Sequence, residues 1–423
     1  MGYQESLDYL YGLQRFGIKL GLENIRALLD RLGHPERNFG NLHVGGSNGK
    51  GSVAATLAEI LEQAGYRVGL YTSPHLHSFT ERIRVNAAAI AEDEVVRLVD
   101  EIRSVAAGVP ATFFEFTTAL ALLYFQRRQV DFVVLEVGMG GRLDATNAVL
   151  PRLCVITPIC RDHSEHLGET LAAIAAEKGG IIKPQVPLIL GRQEPEALAV
   201  LLARAQQLSA PVLLCGRDFA PHSKGERFTY RGPGLELAEL QPGLLGMHQH
   251  DNISLALAAA GLLRSQGLTL PEAALRAGVA QVRWPGRLEW WQGQRRVLLD
   301  GAHNEGGAKV LANYLATLMT GGIRWVVGLK GDKQPEEIFG PLLPLVAALY
   351  CTTPPTETAV PPEDLRRRGE SAGVAASIHA TPAAAMAAAL ADCRRDEIVL
   401  VAGSLFLVAA ARAYLLSQEP DPS

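Results

Sequence analysis

The sequence predicts an α/β fold in two domains. The N-terminal one is a P-loop ATPase-like domain on a parallel sheet flanked by helices, and the smaller C-terminal one is a Rossmann-like α/β domain. Three observations predict this. Short β-branched runs alternate with longer helical patterns along most of the chain. Those runs are continuously apolar rather than alternating, the pattern of strands buried on both faces of a parallel sheet. The rhythm then breaks in QVRWPGRLEWWQGQ (281–294), and a second strand–helix series follows. We read domains at 1–285 and 295–423, with a hinge at 286–294.

In chain order, strands are expected at NLHVGG (41–46), RVGLYT (67–72), DFVVLEVG (131–138), LCVITP (153–158) and VPLILG (186–191). Each is a short apolar run ending in glycine or a polar residue. Helical patterns between them cover 50–64, 92–107, 114–128, 168–180 and 194–208. Segment 216–243, with its Gly and Pro residues, reads as an irregular or β excursion. The second series has strands at RRVLLD (295–300), IRWVVGL (323–329), LVAALYC (345–351) and EIVLVAG (397–403), and the Ala-rich 380–393 reads as helix.

Composition excludes several classes. Hydrophobic residues make up 48% and charged residues 20%, as in ordinary globular proteins. A net charge of −4 makes no electrostatic case for nucleic acid, and Arg366-Arg367-Arg368 is short enough for a solvated helix face. The five cysteines, 154, 160, 215, 351 and 393, form no C-x-x-C pair and suit a reducing, cytoplasmic setting. No signal peptide is visible, and no apolar segment reaches the ~20 residues of a membrane span. Small-molecule partners and a monomer are expected, without nucleic acid or membrane.

LHVGGSNGKGS (42–52) joins a strand to a helix and holds four glycines within residues 45–51. Glycines at that density shape a backbone nest, whose N–H groups, with the helix N-terminus, suit an anion. The spacing departs from G-x-x-x-x-G-K-[ST], because Gly51 separates Lys50 from Ser52. The loop nevertheless reads as phosphate-binding, with Gly46, Ser47, Asn48, Gly49, Lys50, Gly51 and Ser52 as its residues. Lys50 would reach the β/γ-phosphates.

The form G-[ST]-N-G-K-G-S resembles the P-loop of the Mur-ligase superfamily, in its folylpolyglutamate synthase/dihydrofolate synthase branch. Further strings carry the resemblance: TSPHLHSFTERIRVN (72–86), LEVGMGGRLDATN (135–147), ITPICRDHSEHLGETLAAIAAEKGGIIKP (156–184), GLLGMHQHDNISLALAAA (243–260), WPGRLE (284–289) and LLDGAHNEGG (298–307). The resemblance implies magnesium, two ions in all, one held by Ser73, Glu136 and His163 and a second that Lys178 would help to hold. It implies that Lys178 is carbamylated, which would turn a cation into an anionic oxygen ligand. Asn252 would contact adenine, Arg287 would neutralise phosphate charge, Asp300 would hold the ribose or nucleotide, and His303 would lie near the γ-phosphate. Thr112, Phe114, Leu143, Asp144 and Ala145 map to pterin-binding positions. His248 and Gln249 would orient their loop, and Phe113 and Phe116 read as core. The string VVGLKGDKQP (326–335) matches the branch in part, keeping Asp332-Lys333. In TTPPTETAVPPEDL (352–365) an arginine usual in the branch is absent, which leaves the glutamate site unassigned.

The activity implied is that of an ATP-dependent acid–amino-acid ligase, with Lys50, Lys178 and His303 as catalytic residues. It would add L-glutamate to dihydropteroate and to the γ-carboxylate of reduced folates through an acyl phosphate. Rival readings are a monofunctional folylpolyglutamate synthase, a ligase of UDP-muramoyl substrates, a P-loop kinase and a catalytically silent nucleotide-binding regulator. Gly51 and the TSPHL string count against the muramoyl substrate.

Overall fold

The structure is a computed structural model describing residues 2–16, 21–162, 164–291, 293, 295–318 and 321–418. It divides into two compact units. The first comprises Met1–Ile159, Ser164–Gly243 and Gln249–Arg283; the second comprises Cys160–His163, Leu244–His248 and Trp284–Ser423. Two short segments, 160–163 and 244–248, thus go with the second unit although they lie inside the span read as the first domain. The residues read as a hinge begin after Trp284 and include an edge strand of the second sheet, described below.

The first unit is built on β1 (Gly40–Gly45), β2 (Val68–Tyr71), β3 (Ile83–Val85), β4 (Ala88–Ala89), β5 (Phe132–Glu136), β6 (Pro151–Ile156), β7 (Leu188–Leu190) and β8 (Val212–Leu214). Their order is β4-β3-β2-β5-β1-β6-β7-β8. Pairing from β2 through β5, β1, β6 and β7 to β8 is parallel, while β3 and β4 run antiparallel at one edge. β5 is buried at every position, and β1 at every position after its first. Burial on both faces is what the unbroken apolar runs encode. The antiparallel edge was not expected. Its strand Ile83–Val85 lies inside a polar stretch read as loop, where only three residues carry the strand pattern.

Helices of this unit are α1 (Tyr3–Gly12), α2 (Glu23–Arg31), α3 (Lys50–Gln63), α4 (Glu92–Val105), α5 (Phe113–Arg127), α6 (Ser164–Leu167), α7 (Leu171–Lys178), α8 (Pro195–Gln207), α9 (Met247–Ser265, entering from the second unit) and α10 (Glu272–Gln281). Leu10, Leu28, Leu98 and Phe116, from α1, α2, α4 and α5, share one core with Tyr71 and Val133 of the sheet. Ile174 and Leu201 of α7 and α8 share another with Cys154 and Leu188. Phe116 is core as expected, whereas Phe113 is half-buried and stacks on Tyr11 at 5.5 Å.

The helix expected at 168–180 is α7, which starts three residues later, at Leu171, and ends at Lys178. Gly168 sits at φ +98°, which ends α6. The Thr170 hydroxyl then caps α7 by accepting from Ala173 N–H. Segment 216–243 forms a three-stranded antiparallel sheet of β9 (Ala220–Lys224), β10 (Arg227–Gly232) and β11 (Leu235–Leu240).

The second unit holds β12 (Glu289–Trp291), β13 (Val297–Leu299), β14 (Ile323–Val327), β15 (Val346–Cys351), β16 (Ala375–Ile378) and β17 (Ile398–Ala402), in the order β12-β13-β17-β14-β15-β16. All pairs are parallel except β12 with β13. Its helices are α11 (Glu305–Ala316), α12 (Pro335–Leu342), α13 (Pro362–Ser371), α14 (Pro382–Asp392) and α15 (Leu405–Ser417). Trp325 at its core is fully buried and donates its indole N–H to Ala402 O. Among the described residues, no helix is long and apolar enough to cross a membrane.

Candidate active site

In the first unit, β1 lies between β5 and β6, so the loop after β1 opens at the carboxyl ends of adjacent parallel strands. Open α/β sheets bind ligands at such crevices. Gly46 there takes φ +129°, and a Cβ on it would lie 2.0 Å from Thr157 Oγ1. Gly49 takes φ +88° as the residue preceding α3, and a Cβ would lie 2.4 Å from Asn252 Oδ1. Both positions therefore demand glycine on backbone and steric grounds. Lys50 opens α3 and donates to Ser47 O at 3.0 Å. The N–H groups of Ser47 and Asn48 both point to Pro158 O, at 3.1 and 3.4 Å. Ser52 is buried one turn into the helix.

Around this loop stand the other expected residues of the first unit. Lys178, the last residue of α7, is only 4% exposed, and its Nζ donates to Gly46 O at 2.8 Å. A lysine merely offsetting the helix dipole would lie in solvent; this one is aimed at the glycine loop. Asn252 donates to Gln249 Oε1 at 3.0 Å, one turn earlier in α9. Glu136 ends β5 and is buried, and Ser73 N–H donates to its Oε2 at 3.2 Å. The Ser73 backbone thus meets the Glu136 carboxylate, and serine and glutamate both carry oxygen donors of the hard kind magnesium takes. His163, the third expected ligand, lies outside the described residues. Among the described residues, no group of three or more His, Cys, Asp or Glu side chains forms a metal cluster.

Of the residues expected at a pterin, Thr112 and Phe114 lie at the start of α5 and 143–145 follow β5. Phe114 packs its ring over Gly138, where a Cβ would come within 2.5 Å of it, and lies 6.0 Å from the Tyr71 ring. Thr112 caps α5: its hydroxyl donates to Glu115 Oε2 at 2.9 Å and accepts from Glu115 N–H. Leu143 is half-buried, and Asp144 and Ala145 are buried. Asp144 Oδ1 accepts from Thr146 N–H at 3.0 Å and from Thr146 Oγ1 at 2.5 Å, and Oδ2 accepts from Met139 N–H at 3.0 Å. Burial pushes this carboxyl up, and the bonds from Thr146, Met139 and Gly138 oppose that push.

In the second unit, Asp300 follows β13. Its carboxylate accepts from Leu288 N–H and Ala302 N–H, both at 2.9 Å. Burial raises its pKa, opposed chiefly by the Arg287 guanidinium. His303 Nδ1 bonds Gly301 O at 2.7 Å, and its Nε2 lies 3.6 Å from Asp162. Asp162 also accepts from Lys333 Nζ at 2.7 Å and from Asn304 Nδ2 at 3.1 Å. Burial works against the Lys333 ammonium, but Asp162 and Asp332 outweigh it and its pKa rises.

Three residues near these sites escaped the sequence reading. Thr157 presses against Gly46, with a buried hydroxyl that has no protein partner. Arg82 is buried, lies 5.4 Å from the Phe113 ring and donates from Nε to His75 Nδ1 at 2.8 Å. Asp162 meets Lys333 across 171 residues of sequence. Arginine in the otherwise apolar Arg82-Ile83-Arg84-Val85 was the only local signal for Arg82. Asp162 had none beyond its place beside His163.

Residues 44–260 match the Mur ligase middle domain, and residues 286–405 match the Mur ligase glutamate ligase domain. A dihydrofolate synthase/folylpolyglutamate synthase of Bacillus subtilis is 35% identical, over 98% of this chain and 99% of the relative. One from Escherichia coli is 35% identical, over 95% and 93%. Among solved structures, Escherichia coli FolC in complex with DHPP and ADP superposes with a TM-score of 0.92 at 33% identity, covering 99% of this chain and 98% of that one. Mycobacterium tuberculosis folylpolyglutamate synthase complexed with ADP and AMPPCP gives 0.91 at 32% identity, covering 99% and 100%. The glycine loop, the strand-end carboxylate beside Ser73 and this full-length likeness agree: the chain belongs to the dihydrofolate synthase/folylpolyglutamate synthase family of the Mur ligase superfamily.

Proposed function

We propose that this protein is an ATP-dependent ligase that adds L-glutamate to dihydropteroate and to the γ-carboxylate of reduced folates. The observation that carries the reading is the glycine loop, with Gly46 and Gly49 at positive φ and Lys50 opening α3, in a chain similar to such ligases over its full length. A substrate carboxylate oxygen attacks the γ-phosphorus of ATP. The bond from that phosphorus to the bridging oxygen breaks, and ADP leaves with the electron pair. The amine of glutamate then attacks the acyl carbon, the C–O bond to phosphate breaks, and the amine proton passes to solvent.

Both steps crowd negative charge onto oxygen atoms. The loop N–H groups and the Lys50 ammonium answer it, and such preorganised donors are worth most away from water. Magnesium, held by Ser73 and Glu136 with His163, would screen the phosphate charge when bound. Lys178 lies where a carbamate would bring an oxygen ligand toward the glycine loop. Asn252, against Gly49, is suited to fixing the nucleotide base, and Arg287, Asp300 and His303 would serve its phosphates and ribose. Phe114 offers a flat apolar face for a pterin. No side-chain nucleophile is needed, because phosphate activates the acid. The test is a substrate panel of dihydropteroate and tetrahydrofolate with ATP and glutamate, products identified by mass. One added glutamyl residue on each substrate is expected. Activity on tetrahydrofolate alone would make the enzyme monofunctional, and activity on neither would reject the substrate class.

A further inference from the structure

His43 sits in the middle of β1, fully buried, two residues before the glycine loop. Its Nε2 lies 2.9 Å from Thr146 Oγ1, a residue 103 positions away. The single Thr146 hydroxyl proton goes to Asp144 Oδ1 at 2.5 Å, a short charge-assisted bond. The hydroxyl oxygen must therefore accept from His43, which places the imidazole proton on Nε2. Nδ1 is then a buried acceptor, and it has no partner. Leaving such a group unpaired costs about 1–3 kcal/mol. An aliphatic residue in the strand would avoid that cost, so the Nε2–Thr146 bond needs a reason.

Asp144 supplies one. Its carboxylate accepts from Met139 and Gly138 N–H at one end of a loop and from Thr146 N–H and Oγ1 at the other. With bonds to both ends of the loop, it staples 138–146. The loop it staples begins two residues after Glu136, contains Leu143 and Ala145, and lies under the Phe114 ring at Gly138.

We infer that His43 is a positioning residue for the pteroyl substrate: through Thr146 it orients the Asp144 staple and thereby sets the shape of loop 138–146. The inference rests on the reading that segment 143–145 meets the pterin. It ties that loop to the strand that carries the phosphate-binding glycines, by a contact neither motif discloses.

The test compares steady-state kinetics of His43→Leu, Thr146→Val and His43→Gln with the parent enzyme. His43→Leu and Thr146→Val each break the chain of bonds, and either suffices if the other fails to fold. His43→Gln restores an N–H donor. KM for dihydropteroate is expected to rise about tenfold in the first two variants and to recover in His43→Gln, with KM for ATP and glutamate within about twofold throughout. An unchanged dihydropteroate KM, or an equal rise for all three substrates, overturns the inference. Leu143→Ala serves as the separate probe of the underlying reading. If it leaves dihydropteroate KM unchanged, segment 143–145 is not the pterin site; if it raises KM while His43→Leu does not, only the role of His43 falls.

Discussion

His43 also makes the acid stability of the first unit open to calculation. Burial, aided by the nearby Lys183 ammonium, lowers its pKa from 6.5 to about 3. Asp144 is the carboxylate on its other side, reached through Thr146. The folded pKa lies below the unfolded one, so between them the unfolded chain binds the extra proton. The stabilising contribution is therefore complete above pH 6.5 and is lost as pH falls toward 3. At pH 4.5 the loss is two pH units below the unfolded value, about 3 kcal/mol at about 1.4 kcal/mol per unit. A domain has only about 5–15 kcal/mol in hand, so one histidine removes a substantial share. The perturbation is His43→Gln, which keeps a donor and cannot titrate. The assay is urea unfolding of the full chain at pH 7 and pH 4.5, following the transition of the first unit. Carboxylates and the other histidines titrate alike in both proteins, so the difference between the two pH responses isolates residue 43. The parent should lose about 3 kcal/mol more than the variant on acidification. Equal losses would refute the claim that this imidazole stays neutral in the fold.

Other outcomes follow from the site. Gly49→Ala forces a side chain into φ +88° and onto Asn252 Oδ1; a strain of about 1–3 kcal/mol should weaken ATP-analogue binding at least about fivefold by calorimetry. Lys50→Ala should leave melting temperature near the parent value and abolish ADP release, since the ammonium donates only locally, to Ser47 O three residues earlier, among the described residues, and its larger task is to meet the phosphates in the complex. Asp144→Ala removes the staple of a loop that also follows Glu136. Turnover on dihydropteroate and on tetrahydrofolate should both fall, with dihydropteroate the more affected, and an unchanged rate on either would show the loop keeps its shape unaided. Asp162→Asn removes the anion opposite Lys333 and His303. It should cost the second unit about 3–5 kcal/mol in thermal unfolding, and a loss near zero would mean the lysine finds another partner.

The amino-acid order alone settled what local chemistry controls. Glycines at 46 and 49 are legible because a positive φ is a property of one residue, and Lys50 because it follows them into a helix. The buried strands were legible because burial on both faces leaves an unbroken apolar run. The positions expected of Ser73 and Glu136 rested on the match of whole strings, and so did those of Asn252 and Asp300. What only tertiary structure decided are pairings between distant segments: His43 with Thr146, Asp162 with Lys333, Arg82 with His75 beside Phe113. The antiparallel β3–β4 edge belongs here too, since hydrogen bonding to β2 defines it more than its own few residues do. Side-chain surroundings belong here too. Asp144 and Asp300, expected to contact ligands, also accept from backbone N–H groups and hold turns together. A sequence shows which residue can carry charge or accept a hydrogen bond. Which partner claims it depends on distances that exist only once strands far apart in the chain lie side by side.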